Sequence, residues 1–328
     1  MKKYTPLIVI ITFFYLLAVL MWLALDEIFY LYNFLIIGTS VGLGIGLSPV
    51  LPKNRKYIAR LISQLLVGGY MFFGLGCGFI YLMFGYMMPE NMQIEGFWFW
   101  LLSGVFAAGV IHYLVAKIVG PLIFNRAWCG WACWTAAVLD LLPWKYNQTK
   151  RAKKFWNLRY LHFFLSTALI FIMFFVFDYG LKDTLGKVQL SQKWTFTEAI
   201  AALTPIPELW WFLGGNALYY LIGISMAVCL KDNRAFCKYL CPVAVVLKIG
   251  ARFALLKVDK TDAECIDCGI CEKRCPMEVE ILKYIRNGKR VSSSECMICE
   301  TCINHCPAKA LKLSFRFSDR IKSQDGNS

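Results

Sequence analysis

The chain contains, near its carboxy terminus, the stretch Cys265-Ile-Asp-Cys268-Gly-Ile-Cys271-Glu-Lys-Arg-Cys275-Pro276. The same spacing, C-x2-C-x2-C-x3-C-P, recurs in Cys296-Met-Ile-Cys299-Glu-Thr-Cys302-Ile-Asn-His-Cys306-Pro307. This spacing is typical of chains that hold two [4Fe-4S] clusters, in which the fourth cysteine of each run ligates the other cluster. The sequence therefore predicts two crossed ligand sets: Cys265, Cys268, Cys271 and Cys306 for the first cluster, and Cys296, Cys299, Cys302 and Cys275 for the second.

Zinc sites and disulfide frameworks also use closely spaced cysteines. Two complete runs that both end in Cys-Pro favour clusters over zinc, and a cytoplasmic location would keep disulfides reduced. Eight of the 14 cysteines lie between Cys265 and Cys306. We therefore expect residues 251–328 to form a small cytoplasmic α+β domain of the bacterial two-[4Fe-4S] ferredoxin type, followed by a short tail.

The rest of the chain has the composition of a membrane protein. Of its 328 residues, 58 % are hydrophobic and only 17 % are charged, and the mean hydropathy is +0.53. A soluble domain is less apolar than this, and a disordered chain needs low hydrophobicity and high charge. Residues 1–250 are therefore predicted to form an all-α integral membrane bundle.

Six apolar stretches are long enough to cross a bilayer, which takes roughly 20 helical residues. They are residues 4–25, 28–51, 61–89, 96–124, 159–181 and 209–230. The net charge of +14 is concentrated in connections on one side of these stretches, such as 53–60 and 145–154, so it does not indicate nucleic-acid binding. The positive-inside rule places the amino terminus and the ferredoxin domain on the cytoplasmic side of a prokaryotic cytoplasmic membrane.

A second pattern repeats within the membrane part. Asn125-Arg126-Ala127-Trp128-Cys129-Gly130-Trp131-Ala132-Cys133 matches Asn233-Arg234-Ala235-Phe236-Cys237-Lys238-Tyr239-Leu240-Cys241 in register. Each copy follows one apolar stretch and precedes another. The repeat therefore predicts a unit that occurs twice, made of a span, a Cys-x3-Cys motif and a helix at the membrane surface.

Cysteines four residues apart share one helix face, so two copies related by pseudo-symmetry could present Cys129, Cys133, Cys237 and Cys241 to a common point. Such a point could be a further iron–sulfur centre or other metal site, or a dithiol/disulfide relay. The alternative is simple packing of small residues near helix ends. The duplication favours a redox or metal role. Cys77 and Cys229 stand alone within predicted spans and are expected to be packing residues.

On these residues the chain resembles the NapH-type membrane ferredoxin (4Fe-4S polyferredoxin) family, and it is similar to the membrane and ferredoxin part of NosR and to CcoG-type proteins. The match runs from about Gly96 to Leu313. In the family a proline usually follows both Cys-x3-Cys motifs; here Pro242 follows the second motif, but Trp134 follows the first. The resemblance implies an electron-transfer subunit of an oxidoreductase system, similar to a quinol dehydrogenase.

The sequence thus predicts a membrane-bound iron–sulfur protein that passes electrons between the quinone pool, or a membrane partner, and a redox partner. No C-x-x-C-H haem motif occurs in the sequence, so any flavin or c-type haem is expected on a partner protein, which could instead carry iron–sulfur clusters. The alternative function is a maturation or assembly factor that supplies reducing equivalents to a metal or thiol at the membrane. Membrane lipid and a quinone or quinol are the expected small-molecule partners.

Few polar side chains lie within the predicted spans. Neither His112 nor His162 has a second histidine four residues away, so helix packing or a polar contact is expected, with a b-type haem ligand or a proton acceptor for quinol as alternatives. Lys117 and Arg159 are expected to extend their charged groups toward the membrane surface. Asp140, near the end of a span, is expected to be solvated.

Overall fold

The computed structural model describes residues 4–104, 108–144, 155, 157–179, 187–190 and 194–319. The predicted basic loop at 145–154 and the short tail after residue 319 lie outside the described residues. The helices are α1 (Thr5–Leu25), α2 (Ile28–Val41), α3 (Lys56–Gly69), α4 (Ile94–Leu102), α5 (Ala108–Tyr113), α6 (Gly120–Phe124), α7 (Ala127–Trp131), α8 (Trp134–Leu139), α9 (Leu158–Phe175), α10 (Phe196–Leu203), α11 (Pro207–Leu230), α12 (Ala235–Tyr239), α13 (Val243–Ala251), α14 (Ile270–Lys273), α15 (Ile281–Arg286) and α16 (Thr301–His305). The strands are β1 (Tyr86–Met87), β2 (Val188–Gln189), β3 (Leu256–Lys260) and β4 (Leu311–Phe315).

Turns of other helix types extend or join several of these helices. π-Helical segments continue α2 over Gly42–Gly46 and α3 over Tyr70–Gly76, and a third, Leu114–Val119, joins α5 to α6. Short 3-10 helices cover Lys53–Arg55 and Phe79–Phe84. The apolar runs of the sequence are therefore helical over longer stretches than the α-helical bounds alone indicate.

Five apolar helices in the described part are long enough to cross a membrane: Thr5–Leu25, Ile28–Gly46, Lys56–Gly76, Leu158–Phe175 and Pro207–Leu230. A shorter apolar helix, Gly109–Phe124, lies between the third and fourth of them in the chain. Pro207 opens α11, and Lys231 closes it in a left-handed conformation with a φ of 49°. The prediction of a mostly helical protein is confirmed, and several of its helices are long and apolar enough to cross a membrane.

The third and fourth predicted spans have different boundaries in the structure. The helix that begins at Lys56 ends at Gly76, and the chain then forms a 3-10 helix, β1, an extended connection at 88–93 and the short helix α4. Gly78 and Gly85 have φ angles of 81° and 76°, which favour glycine, and the helical run is broken there. The continuous span predicted at 61–89 is therefore wrong. The span predicted at 96–124 is also interrupted, since α4 ends at Leu102 and Gly104 has a left-handed φ of 69°. Apolar composition does not show where the backbone turns.

The repeated Cys-x3-Cys units have the same local construction. The amide of Cys133 donates to the carbonyl of Trp128 at 3.0 Å, and the amide of Cys241 donates to the carbonyl of Phe236 at 2.9 Å. In both copies a five-residue helix is followed by a second helix, α7 by α8 and α12 by α13. The sequence repeat is therefore also a structural repeat.

The ferredoxin domain is itself built from two similar halves. Strands β3 and β4 pair antiparallel, with Leu256 opposite Phe315 and Lys260 opposite Leu311. Three equivalent positions of the two cysteine runs adopt left-handed backbone, with φ between 52° and 71°. These pairs are Asp267 and Ile298, Gly269 and Glu300, and Glu278 and Lys309. Six positions in this conformation show that each half turns tightly around its cysteines.

Candidate metal centres

The eight cysteines of the ferredoxin runs line two separate cavities. One cavity is bordered by Cys275, Cys296, Cys299 and Cys302. The other is bordered by Cys265, Cys268, Cys271 and Cys306. These are the same crossed sets that the spacing predicts, and their roles as individual ligands remain predictions. We call the cavities the second and first cluster cavities, respectively.

The walls of both cavities suit an iron–sulfur cluster, since four cysteines line each of them. The amides of Val279 and Ala310 donate to the sulfurs of Cys275 and Cys306 at 3.4 and 3.3 Å. Hydrogen bonds of this kind to cluster sulfurs are a means of setting the reduction potential.

The four cysteines of the repeated motifs line a single further cavity, here called the four-cysteine cavity. Its walls include Cys129, Cys133, Cys237 and Cys241. Cys129 and Cys237 are 7 % and 6 % exposed. The structure therefore brings together two pairs of cysteines that are separated by more than 100 positions in the sequence, and their chemical role remains a prediction.

Three buried cations lie against this cavity. Arg126 donates toward the sulfur of Cys129 at 3.8 Å, and Arg234 donates toward the sulfur of Cys237 at 4.0 Å. Each arginine precedes its cysteine by three residues, so the repeat places a guanidinium beside a sulfur twice. Lys117 lines the same cavity. Positive charge at these positions favours thiolates and other anionic groups in the cavity.

Three charged side chains near this cavity have surroundings other than those predicted from the sequence. Lys117 and Arg159 are 2 % and 0 % exposed, so the prediction that they extend to the membrane surface is wrong. Asp140 is not solvated either, since it accepts from Arg234 at 2.5 Å and from Arg60 at 2.6 Å. Burial raises the pKa of Asp140, but the two guanidinium groups outweigh burial and hold that pKa below its usual value.

The first Cys-x3-Cys motif is in direct contact with the ferredoxin domain. A Cβ atom on Gly130 would lie 2.4 Å from the carbonyl oxygen of Met297, so no larger residue fits without movement. The indole of Trp131 donates to the carbonyl of Ile298 at 2.9 Å. Met297 and Ile298 connect two cysteines of the second cluster cavity. The four-cysteine cavity and the second cluster cavity therefore share a short protein wall.

A buried carboxylate holds the same interface together. Glu295 accepts from Arg126 at 2.5 Å, from Arg159 at 3.0 Å and from Lys248 at 2.9 Å. Burial raises the pKa of Glu295, but the three cations outweigh burial and lower that pKa to about 2. Glu295 directly precedes Cys296, so the contact connects the membrane helices to the second cluster cavity.

The remaining candidates are two single cysteines and two histidines of the predicted spans. Cys77 packs in an apolar core, as expected, whereas Cys229 is exposed, so the packing prediction for Cys229 is wrong. The ring of His112 packs against Trp128 with centroids 5.0 Å apart. His162 Nδ1 lies 2.9 Å from a backbone carbonyl oxygen and must therefore donate there.

Several residues of the four-cysteine cavity were not among the candidates that the sequence predicts. Gln93, Asn216 and Tyr219 are part of its lining. Asn216 lies within the apolar helix α11, and a polar residue inside a span is a signal that could have been used. Gln93 gave no such signal, because it lies in the extended connection between two predicted spans, where polar residues are expected.

Comparison with protein-family models finds iron–sulfur domains in both parts of the chain. A 4Fe-4S dicluster domain matches residues 264–311. A 4Fe-4S binding domain matches residues 98–155 and 217–260, which contain the two Cys-x3-Cys motifs. No solved structure gives a significant match.

Several characterised and uncharacterised proteins are similar to this chain. An uncharacterised protein of Methanocaldococcus jannaschii is 25 % identical over 54 % of the chain and 62 % of its own length. The putative electron transport protein YccM of Escherichia coli is 26 % identical over 56 % of the chain and 50 % of its own length. The regulatory protein NosR of Pseudomonas aeruginosa is 26 % identical over 48 % of the chain, but only 21 % of NosR is covered. The chain is thus a relative of YccM and NosR that combines apolar membrane helices with ferredoxin-type domains carrying two [4Fe-4S] clusters.

Proposed function

We propose that this iron–sulfur electron transport protein passes electrons, one at a time, between the quinone pool of the membrane and a redox partner protein. The observation that carries the proposal is the contact of Gly130 and Trp131 with the second cluster cavity. It supports an ordered series of redox sites, from the four-cysteine cavity to the second and then the first cluster. The printed name of YccM, a putative electron transport protein, agrees with this role.

The two crossed cysteine sets would ligate the two clusters. Cys275, Cys296, Cys299 and Cys302 would hold the cluster beside the membrane helices, and Cys265, Cys268, Cys271 and Cys306 would hold the outer one. Cys268 is exposed, and the neighbouring Ile266 is 63 % exposed. We therefore expect the redox partner, a flavin, haem or iron–sulfur protein, to bind at this surface.

The four-cysteine cavity would hold a further iron–sulfur centre, with Cys129, Cys133, Cys237 and Cys241 as ligands. The match of a 4Fe-4S binding domain to both motif segments supports this assignment. Such a centre, when bound, stores and releases single electrons. Lys117, Arg126 and Arg234 would offset the negative charge of four thiolates, and the apolar walls would exclude water.

Replacing Gly130 with valine tests the proposed order of sites. The new side chain would push the loop at Met297 away from α7, so the reduction of the ferredoxin clusters by a membrane quinol is expected to slow severalfold. Reduction by dithionite, which reaches the outer cluster from water, should stay unchanged, and so should the iron content of about eight per ferredoxin domain. Both rates are measured by cluster absorbance in reconstituted vesicles.

Gly69→Val is the matched control for this experiment, because a Cβ atom on Gly69 meets no other atom within 4 Å. The control should keep the wild-type rate with both reductants. Quinol-driven reduction that is as fast in Gly130→Val as in the control would show that electrons do not cross at this contact.

The protein would lie in a prokaryotic cytoplasmic membrane with the ferredoxin domain in the cytoplasm. The charge asymmetry of the connections supports this orientation. Cysteines introduced at Gln189, in β2, and at Lys289, in the ferredoxin domain, are both at exposed positions. An impermeant thiol reagent added to intact spheroplasts should label the first above the unsubstituted protein and leave the second unlabelled until the cells are broken. Labelling of Lys289→Cys in intact spheroplasts would reverse the proposed orientation.

A further inference from the structure

A large cleft lies beside the four-cysteine cavity and opens between α9 and α11. It has a volume of about 860 Å³ and is lined by residues of the 91–99 segment, α9, the 204–207 turn and α11. We propose that this cleft binds the headgroup of a quinone or its hydroquinone, with Glu95 as a hydrogen-bond partner and proton acceptor. The inference rests on the proposed electron-transfer function and adds the binding site of its membrane substrate.

The fold supplies polar groups to this cleft by interrupting the apolar helices. The connection at 88–93 is not helical, and Asn91, Gln93 and Glu95 from this region line the cleft. Lys117 Nζ donates to the carbonyl of Met92 at 3.1 Å, which fixes the connection against the membrane bundle. Non-helical backbone within a membrane protein is tolerated where it is buried or lines a cavity, and it often marks a binding site.

Two residues at the inner end of the cleft, Glu95 and Gln93, each carry a buried side-chain atom that lacks a partner among the described residues. The hydroxyl of Tyr219 donates to Glu95 Oε1 at 3.3 Å, but the buried Glu95 Oε2 has no hydrogen bond. Gln93 is only 4 % exposed, and its side-chain amide nitrogen Nε2 is likewise without an acceptor. A buried acceptor and a buried donor without partners are costly. A ligand that offers a hydroxyl and a carbonyl or hydroxyl oxygen would satisfy both.

The outer part of the cleft suits a long apolar tail. Leu169, Trp210 and Leu218 line it and are 50 %, 56 % and 56 % exposed in the protein, on helices that are long and apolar enough to cross the membrane. A ligand with a polar redox ring and an apolar tail would thus enter from the bilayer. A membrane quinone has these two parts. A phospholipid would instead bring an anionic phosphate, and no lysine or arginine is among the described residues that line the cleft.

The cleft and the four-cysteine cavity share two lining residues. Gln93 and Tyr219 line both. The ring of Tyr219 also packs against Phe236, which directly precedes Cys237, with centroids 5.2 Å apart. A ring bound at Glu95 would therefore be separated from the four cysteines by single side chains.

The chemistry at this site balances as a two-electron oxidation. When a hydroquinone is oxidised to a quinone, both O–H bonds break, and two protons and two electrons leave. Glu95 takes one proton at Oε2. His162 lines the cleft and holds its own proton on Nδ1 against the carbonyl of Leu240, so its Nε2 is free to take the other. The iron–sulfur clusters of the proposed function, held by the cysteines of the three cavities, would be the oxidant and would supply acceptance of the two electrons one at a time.

Gly214 allows the cleft to be filled without altering its polar residues. Gly214 lines the cleft in α11, and a Cβ atom there meets nothing within 4 Å. Leucine at this position is expected to weaken quinone binding roughly tenfold or more, because its side chain and the ligand would overlap. Gly69→Leu, equally free of contacts but outside the cleft lining, is the matched control.

Two readouts separate binding from electron transfer in phospholipid vesicles that hold the whole protein. Quenching of tryptophan fluorescence by a decyl-substituted benzoquinone reports binding near Trp210 and Trp211, and the reduced form of the same probe drives bleaching of the clusters. We expect Gly214→Leu to lose both signals and the control to keep them. Glu95→Gln should keep most of the quenching but slow the bleaching, since it removes a proton acceptor.

Each contrary result has a separate meaning. The proposed binding site would be wrong if saturable quenching were the same in Gly214→Leu and in the wild type. It would also be wrong if the wild type showed no saturable quenching. Quenching that Gly214→Leu removes, together with no bleaching by the hydroquinone in wild type, would support the site but contradict the proposed function. Normal bleaching of the Gly214→Leu protein would leave the function intact and place the quinone elsewhere.

Discussion

Replacing Glu295 with glutamine is expected to lower the free energy of unfolding of the ferredoxin domain and its interface by about 3–5 kcal/mol. The substitution keeps the size of the side chain but removes the charge that Arg126, Arg159 and Lys248 share. Because Arg126 and Arg159 have no exposed side-chain surface, water cannot replace the lost carboxylate. Removing one partner of a buried ion pair leaves the other charge without compensation, which is the costly case.

Thermal and denaturant unfolding, followed by cluster absorbance in detergent, would measure the loss. Glu280→Gln is the matched control, since Glu280 and Lys283 lie 3.5 Å apart with both side chains 72 % exposed. An exposed pair of this kind contributes about 0–1 kcal/mol. If Glu295→Gln were no more destabilising than Glu280→Gln, the carboxylate would not be what holds the two parts of the protein together.

The cysteine runs were the part of the site that the sequence could predict in detail. Ligands of a [4Fe-4S] cluster are close in sequence, and the crossed fourth cysteine follows from the Cys-Pro ending of each run. Both crossed sets line their own cavities in the structure. Ligands that lie close together in the sequence can be recognised from their spacing, because few structures require the same spacing.

The membrane helices were predictable only where they are continuous. The long helices of the structure coincide with apolar runs, but the break at 77–93 did not interrupt the apolar pattern enough to be recognised. Gly78 and Gly85 mark the break in the structure, yet glycine is common in membrane helices. The cleft residues Asn91 and Gln93 come from this segment, so the cleft could not be found from the sequence.

The buried charges could not be predicted because their partners are distant in sequence. Arg126 is paired with a residue 169 positions away, and Arg234 with one 94 positions away. Charged residues near the ends of spans usually extend to the surface, and only the folded structure shows that these do not. The repeat of Asn-Arg-Ala before each cysteine was visible, but its purpose, to place a guanidinium beside a sulfur, was not.

Cys133→Ser and Cys241→Ser are each expected to abolish electron transfer from quinol to the ferredoxin clusters, and the double variant is expected to be no worse. Residues that act as one unit lose most of their function with the first removal, so their effects do not add. The cavity shared by Cys129, Cys133, Cys237 and Cys241 is the structural reason to expect one unit. Quinol-driven bleaching, iron analysis and electron paramagnetic resonance of the three variants would measure this.

Cys296→Ser provides the comparison, because it should lose iron from the ferredoxin domain, whereas the Cys133 and Cys241 variants should keep that iron. Packing alone would instead give modest, additive destabilisation with transfer retained.

The position after Cys133 makes the comparison sharper, since Trp134 stands where the second motif has Pro242. Trp134 donates to Asn216 at 2.8 Å and begins α8, so the tryptophan can hold the first motif in place without proline. Cys133→Ser should therefore slow electron transfer from quinol as much as Cys241→Ser does. If Cys133→Ser left the transfer rate unchanged, the first motif would only support the cavity, and no four-thiolate centre would form there.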